Sequence, residues 1–159
     1  MSLRARYCRY LDFGQWPELR SLFCDDAELH LAGGSHYPDP DVFVHTMRSH
    51  FPGEEQVVHH CAMPELVRLD KNRARGVWAL FSLVDHTPGD PVGAGAQRSW
   101  SYYAEDYRRV DERWRIASLR LVRLRTERSG LPVERPAGWR SAGAWVEGFL
   151  RGEDGPPPC

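Results

Sequence analysis

An α+β fold is predicted from three observations. Apolar residues recur at helical spacing through roughly the first fifty positions. From Glu55 onward the period drops to two, in runs rich in Val, Trp and Tyr that suit a pleated surface. Tight turns at Asp70-Lys71-Asn72 and Asp111-Glu112-Arg113 join successive runs, and turns that short connect antiparallel neighbours. Helices come first and a meander follows, the segregated order of an α+β domain.

Leu3, Tyr7 and Leu11, with Cys8 and Tyr10 alongside, share one face of a helix over residues 1–13. Gly14 ends it, because glycine enters a left-handed cap without steric cost. Trp16-Pro17-Glu18-Leu19 opens a second helix with Pro17 near its first turn, and Leu19, Leu22 and Phe23 form its buried stripe. Asp25 and Asp26 break that helix, and Ala27-Glu28-Leu29-His30-Leu31 alternates as a short strand. Gly33-Gly34-Ser35 is a loop. Asp39 caps a third helix with Pro40 at its first position. Val42, Phe43, Thr46 and Met47 are expected toward the core, and the helix stops before Pro52-Gly53.

Glu55 to Met63 is a strand, and Glu65 to Leu69 continues it or forms its own. Arg73 to Asp85 carries Ala74, Gly76, Trp78 and Leu80 on one face and Arg75, Val77, Ala79 and Phe81 on the other. Both faces are largely apolar, which predicts cover on both sides. Residues 88–95 form a glycine- and proline-rich loop, expected over a pocket or at a subunit contact. Gln97 to Val110 is a long aromatic strand containing Trp100, Tyr102, Tyr103 and Tyr107, and Trp114 to Arg125 pairs back against it. Beyond Glu127 only Trp139 to Leu150 has the pattern of a short amphipathic helix, and the Pro156-Pro157-Pro158 end is expected to be mobile.

At 159 residues the chain suffices for one domain with its own core. A net charge of −1 offers no electrostatic argument for nucleic acid or an anionic membrane. Lys71 is the only lysine, and the arginines are spread over the whole chain, which reads as coding bias rather than a binding patch. Cys8, Cys24, Cys61 and Cys159 have no CxxC spacing, which argues against a zinc knuckle or a secreted disulfide framework. No leader and no membrane-length apolar run is evident, so a cytoplasmic protein with free thiols is expected. His30, His36, His45, His50 and His86 lack metal-ligand spacing, and the glycines of residues 89–95 do not open a helix after a strand. No metal and no cofactor is expected.

The chemistry concentrates in Val57-Val58-His59-His60-Cys61-Ala62-Met63. Neighbours on a strand point to opposite faces, so His59 shares a face with Val57 and Cys61, and His60 with Val58 and Ala62. Whichever imidazole turns inward sits among apolar groups, where a partner sets its tautomer, the usual origin of a general base. A satisfied core or surface histidine is the plainer alternative.

Several strings together carry a family resemblance. They are Arg6-Tyr7-Cys8-Arg9-Tyr10-Leu11-Asp12 followed by Trp16, then Leu22-Phe23 with Asp26, then the His59 strand with Pro64-Glu65. Ala74-Arg75-Gly76-Val77-Trp78 and Tyr107-Arg108-Arg109-Val110-Asp111 with Trp114-Arg115-Ile116 complete the set. In that order the chain resembles the SnoaL-like branch of the nuclear-transport-factor-2-like superfamily. The resemblance implies a cone-shaped α+β barrel with the N-terminal helices packed in a strongly curved, mostly antiparallel sheet. It spans roughly residues 3–126, so the expected organisation is a barrel over 1–126 and a C-terminal extension over 127–159.

Within that superfamily the chain is most similar to the group containing scytalone dehydratase and the bile-acid 7α-dehydratase. What the group implies is an aspartate four residues before a tryptophan, paired with a histidine on the central strand; Asp12, Trp16 and His59 match. Tyr7 and Arg123 match a further tyrosine and arginine of the bile-acid enzyme, whereas an acidic residue of that enzyme falls near Ser82. The second histidine of the scytalone enzyme falls near Trp78. The implied chemistry is dehydration or isomerisation of a hydrophobic hydroxy-carbonyl compound of polyketide, steroid or terpenoid type, without a cofactor. Asp12 would fix the His59 tautomer and leave the other ring nitrogen as a base near neutral pH, with Tyr7 as proton donor. Trp78, Tyr103, Tyr107 and Arg123 are the expected substrate contacts.

Each of these residues has an ordinary structural alternative. Asp12 can cap a helix or pair with arginine, Tyr7 can be a core tyrosine, and Arg123 can be ion-paired at the surface. The aromatic strand faces suit an apolar pocket or an oligomer interface, and a homodimer or homotrimer is expected. Two other functions remain open: a non-catalytic subunit like the β subunit of a ring-hydroxylating dioxygenase, and a polyketide cyclase or epoxide hydrolase. The fold does not choose among them.

Overall fold

The computed structural model describes residues 2–51, 56–86, 94–153 and 155, beginning with helix α1 (Ser2–Asp12). Tyr7, Cys8 and Leu11 are its buried stripe, and Gly14 turns the chain at a φ of +62°. Helix α2 (Trp16–Arg20) carries Pro17 in its first turn, where a missing N–H leaves no bond unmade. Strand β1 (Phe23–His30) starts at Phe23 and not at Ala27, so Phe23 belongs to the sheet rather than to a helical stripe. A shift in its pairing between Phe23 and Glu28 lets the neighbours Asp25 and Asp26 both face outward, and by local pattern that irregularity reads as a break.

Gly33 and Gly34, at φ of +79° and +81°, form a tight turn into the two-residue strand β2 (His36–Tyr37), which pairs back on β1. Helix α3 (Pro40–His50) is capped by the Asp39 carboxylate, which accepts the Asp41 N–H at 2.6 Å. Its buried face is Pro40, Phe43, Val44 and Met47, whereas Val42 is 51 % exposed. The stripe therefore runs i, i+3, i+4, i+7 from the proline, with Val44 where Val42 was expected.

Strand β3 (Gln56–Arg68) is continuous, with a bulge where its pairing to β4 shifts between Ala62 and Glu65 and Met63 takes a φ of +49°. Pro64 has no N–H to give a ladder, and a bulge is where a strand accepts one. Strands β4 (Arg73–His86), β5 (Gly95–Val110) and β6 (Arg113–Arg128) complete an antiparallel meander. Asp111 and Glu112 both take positive φ in the turn between β5 and β6, the geometry that matches strand twist. The strand order is β2-β1-β6-β5-β4-β3, with β1 parallel to β6. The sheet curves without closing, so β2 and β3 remain edges.

The first three helices fill one face, where Tyr7, Leu19, Phe23 and Phe43 meet Leu80, Tyr103 and Leu121. The other face is covered by α4 (Ala142–Arg151): Val146 and Phe149 pack on Val77 and Ala104. Arg75 donates from Nη1 to the Phe149 carbonyl at 2.8 Å and lies over its ring. This accounts for the two apolar faces of β4. Glu55, residues 88–93 of the predicted loop, and the Pro156-Pro157-Pro158 end lie outside the described residues. Among the described residues, no helix is long and apolar enough to cross a membrane.

Candidate active site

Helix α1 and strand β3 meet along two rungs. Cys8 and Asp12 are four apart and share a helical face; His59 and Cys61 are two apart and share a strand face. On the first rung Asp12 Oδ1 lies 2.6 Å from His59 Nδ1, and Asp12 Oδ2 accepts the His59 backbone N–H at 3.0 Å. A carboxylate only accepts, so Nδ1 carries the proton and Nε2 is left as the basic nitrogen. On the second rung the Cys8 and Cys61 sulfurs are 3.4 Å apart. His59 is the histidine that turns inward, with its side chain 10 % exposed, and His60 is exposed.

His59 borders a cavity of about 310 Å³ between the helices and the sheet. Tyr7, Tyr103 and Arg123 line it too, and α3, β4 and β6 supply an apolar wall that includes Phe43, Met47, Leu80 and Leu121. Asp12 stands behind the imidazole, and no carboxylate is among the described residues that line the cavity. Burial pushes the Tyr7 hydroxyl up to about 12 against the opposing pull of the Arg4 guanidinium, and burial also raises Tyr103 well above an ordinary tyrosine. The Arg4 guanidinium carbon sits 4.2 Å from the Tyr7 ring centre and 4.3 Å from that of Tyr103. Both phenols therefore keep their protons at neutral pH.

Trp78 and Tyr107, the other two expected substrate contacts, lie off this cavity. Trp78 is opposite Tyr103 in register, yet its indole Nε1 donates to the Tyr107 hydroxyl at 2.8 Å. Tyr107 in turn donates to Glu105, and Glu105 pairs with Arg4, in a network with both charges fully buried. Trp78 and Tyr107 border a different cavity, about 390 Å³, together with Leu3, Leu66 and Trp114.

Other lining residues were not among the expected site residues. Ser82 is directly opposite His59 in the β3–β4 register and 8 % exposed, so the serine that replaces an acid in the family comparison stands beside the imidazole. His50 and His86 also line the cavity, from the end of α3 and the end of β4. Nothing local marks them, because those ends meet only in the fold. On the outer rim Glu28, His30 and His36 bring ligand atoms within 4.8 Å of one another, a grouping that spacing along the chain did not suggest. The two imidazoles are stacked, 4.4 Å apart and 8° from parallel, so their in-plane lone pairs do not converge on one point.

Residues 1–120 match the family model of the SnoaL-like domain. A candidate scytalone dehydratase from Novosphingobium aromaticivorans superposes with a TM-score of 0.72 at 19 % identity, covering 86 % of this chain and 89 % of that one. The hexachlorocyclohexane dehydrochlorinase LinA-type3 from Novosphingobium barchaimii gives 0.70 at 19 %, over 84 % and 90 %. Aln2 from a Streptomyces species gives 0.65 at 19 %, over 77 % and 86 %. At such identities the likeness is one of fold.

Proposed function

The chain belongs to the SnoaL-like domain family, and we propose that it is a lyase or isomerase in which the Asp12–His59 pair works as general base and acid on a hydrophobic hydroxy-carbonyl compound. The carrying observation is the 2.6 Å contact between Asp12 and His59 at the wall of a mostly apolar cavity. His59 Nε2 takes the proton beside the carbonyl, and Asp12 stabilises the imidazolium that forms. Such a positioned base contributes about 10²–10⁴-fold in rate. Tyr7, held protonated, donates to the departing hydroxyl or to the carbonyl oxygen. Tyr103 and Arg123 face the charge that develops on the enolate oxygen. The names of two fold neighbours, a dehydratase and a dehydrochlorinase, support elimination as the reaction class.

An epoxide-opening hydrolase fits less well, because activating water there calls for paired carboxylates and, among the described residues, no second carboxylate joins Asp12 at the cavity. A purely structural subunit gives no reason to hold an aspartate against a histidine at a cavity wall. The deciding experiment is a panel of apolar β-hydroxy ketones and acids, scored by mass for loss of water. Wild type should turn over at least one compound and His59→Ala none, with circular dichroism unchanged. Turnover that survives in His59→Ala would remove the base from the proposal.

A further inference from the structure

The second rung between α1 and β3 is not used by the proposed chemistry. Cys8 is 8 % exposed and Cys61 is partly exposed, and both border an open groove of about 500 Å³ that runs past Asp12 and His59. Cys24, by contrast, is 2 % exposed, inside the main core. Two thiols in contact, reachable from solvent and carried by two different elements, are the arrangement from which a cross-link forms with little movement.

We propose that Cys8 and Cys61 are a redox-modification site, oxidised by hydroperoxides to a disulfide that ties α1 to β3 one helical turn from the Asp12–His59 pair. Cys8 is the attacking sulfur. The Cys61 thiol, hydrogen-bonded to it, lowers Cys8 below an ordinary thiol against the opposing effect of burial, with Arg4 and His59 adding to the lowering, while Cys61 is pushed up by the same contact and by burial. The Cys8 thiolate attacks the O–O bond of the hydroperoxide; a Cys8 S–O bond forms, the O–O bond breaks, and the alkoxide leaves as the alcohol after taking up a proton. Cys61 then attacks the Cys8 sulfur: the S–S bond forms, the S–O bond breaks, and hydroxide leaves with the Cys61 proton as water. The sum is two thiols and one hydroperoxide giving a disulfide, an alcohol and water. A dithiol reverses it by exchange.

The site sits one turn from the dyad, so the cross-link sets the helix–strand spacing on which the Asp12–His59 contact depends. Its existence does not rest on the elimination chemistry, because it is read by mass and not by turnover. The test uses the full chain, reduced with dithiothreitol, desalted, treated with hydrogen peroxide, quenched with N-ethylmaleimide, and compared intact and after proteolysis. The expected result is the loss of two hydrogens per chain, a linked peptide containing Cys8 and Cys61 that dithiothreitol removes, and a Tm raised by roughly 10 °C while the link is present. In Cys61→Ser, Cys8 should stop at a sulfenic acid that dimedone traps; in Cys8→Ser that adduct should be missing. No linked peptide in wild type, a link through Cys24 or Cys159 instead, or equal dimedone labelling of the two variants would overturn the assignment.

Discussion

Asp12 commits both carboxylate oxygens to one residue, the ring and the backbone N–H of His59. That double hold fixes the imidazole in position as well as in tautomer. Asn in its place can still accept the backbone N–H, but its amide then offers a donor to Nδ1 and favours the wrong tautomer. Asp12→Asn should therefore keep the fold and lower kcat by about 10²–10⁴-fold, measured on whichever compound of the panel wild type dehydrates. A kcat equal to wild type would separate Asp12 from the chemistry. Tyr7 differs in kind: its role depends on staying protonated, which its burial secures well past neutral pH.

Among the elements, α4 is the one whose place is decided by packing more than by local pattern. Its amphipathic face is legible, but its partner is the outer face of β4 and β5, where Val77 and Ala104 would otherwise meet water. Phe149 is 1 % exposed and lies under the Arg75 guanidinium. Phe149→Ala removes that ring from a filled site, and the loss should be about 3–5 kcal/mol, seen as a lower urea midpoint with an unchanged m-value. The cavity is on the opposite face of the sheet, so activity per folded molecule should persist. An unaltered midpoint would mean that α4 contributes little to the stability of the sheet it covers.

At the scale of the whole molecule, the interior keeps three phenols from solvent. Tyr7, Tyr103 and Tyr107 are all buried and all raised above the ordinary value of 10.0, Tyr7 to about 12. Unfolding releases them to ionise near 10.0, whereas the folded chain keeps the Tyr7 proton to about 12 and holds those of Tyr103 and Tyr107 past 10.0, so the unfolded state binds fewer protons above pH 10. Stability contributed by these groups is complete below pH 10 and lost as pH rises above it, for Tyr7 between about 10 and 12. Urea unfolding from pH 8 to pH 12 should show a flat region followed by a steep decline with tyrosine absorbance rising alongside unfolding. A profile that stays flat to pH 12 would contradict the burial of those hydroxyls.

Much of this was readable along the chain, since its elements depend on residues near each other. The left-handed glycine after α1, the Asp39 cap, the switch from helical to alternating period and the opposed positions of His59 and His60 all follow from local sterics and spacing. The family resemblance added the pairing of Asp12 with His59, which no local pattern reveals across a separation of 47 residues. Register and curvature settled the rest. They turned His59 inward, set Ser82 across from it, sent the Trp78 indole to Tyr107 and away from the cavity, and brought Cys8 against Cys61. The shifted pairing near Asp25 and the rotation of α3 belong to the same group, because each depends on what a neighbouring strand or helix presents. A period says which face a side chain shares; only the packing of distant segments says what that face meets.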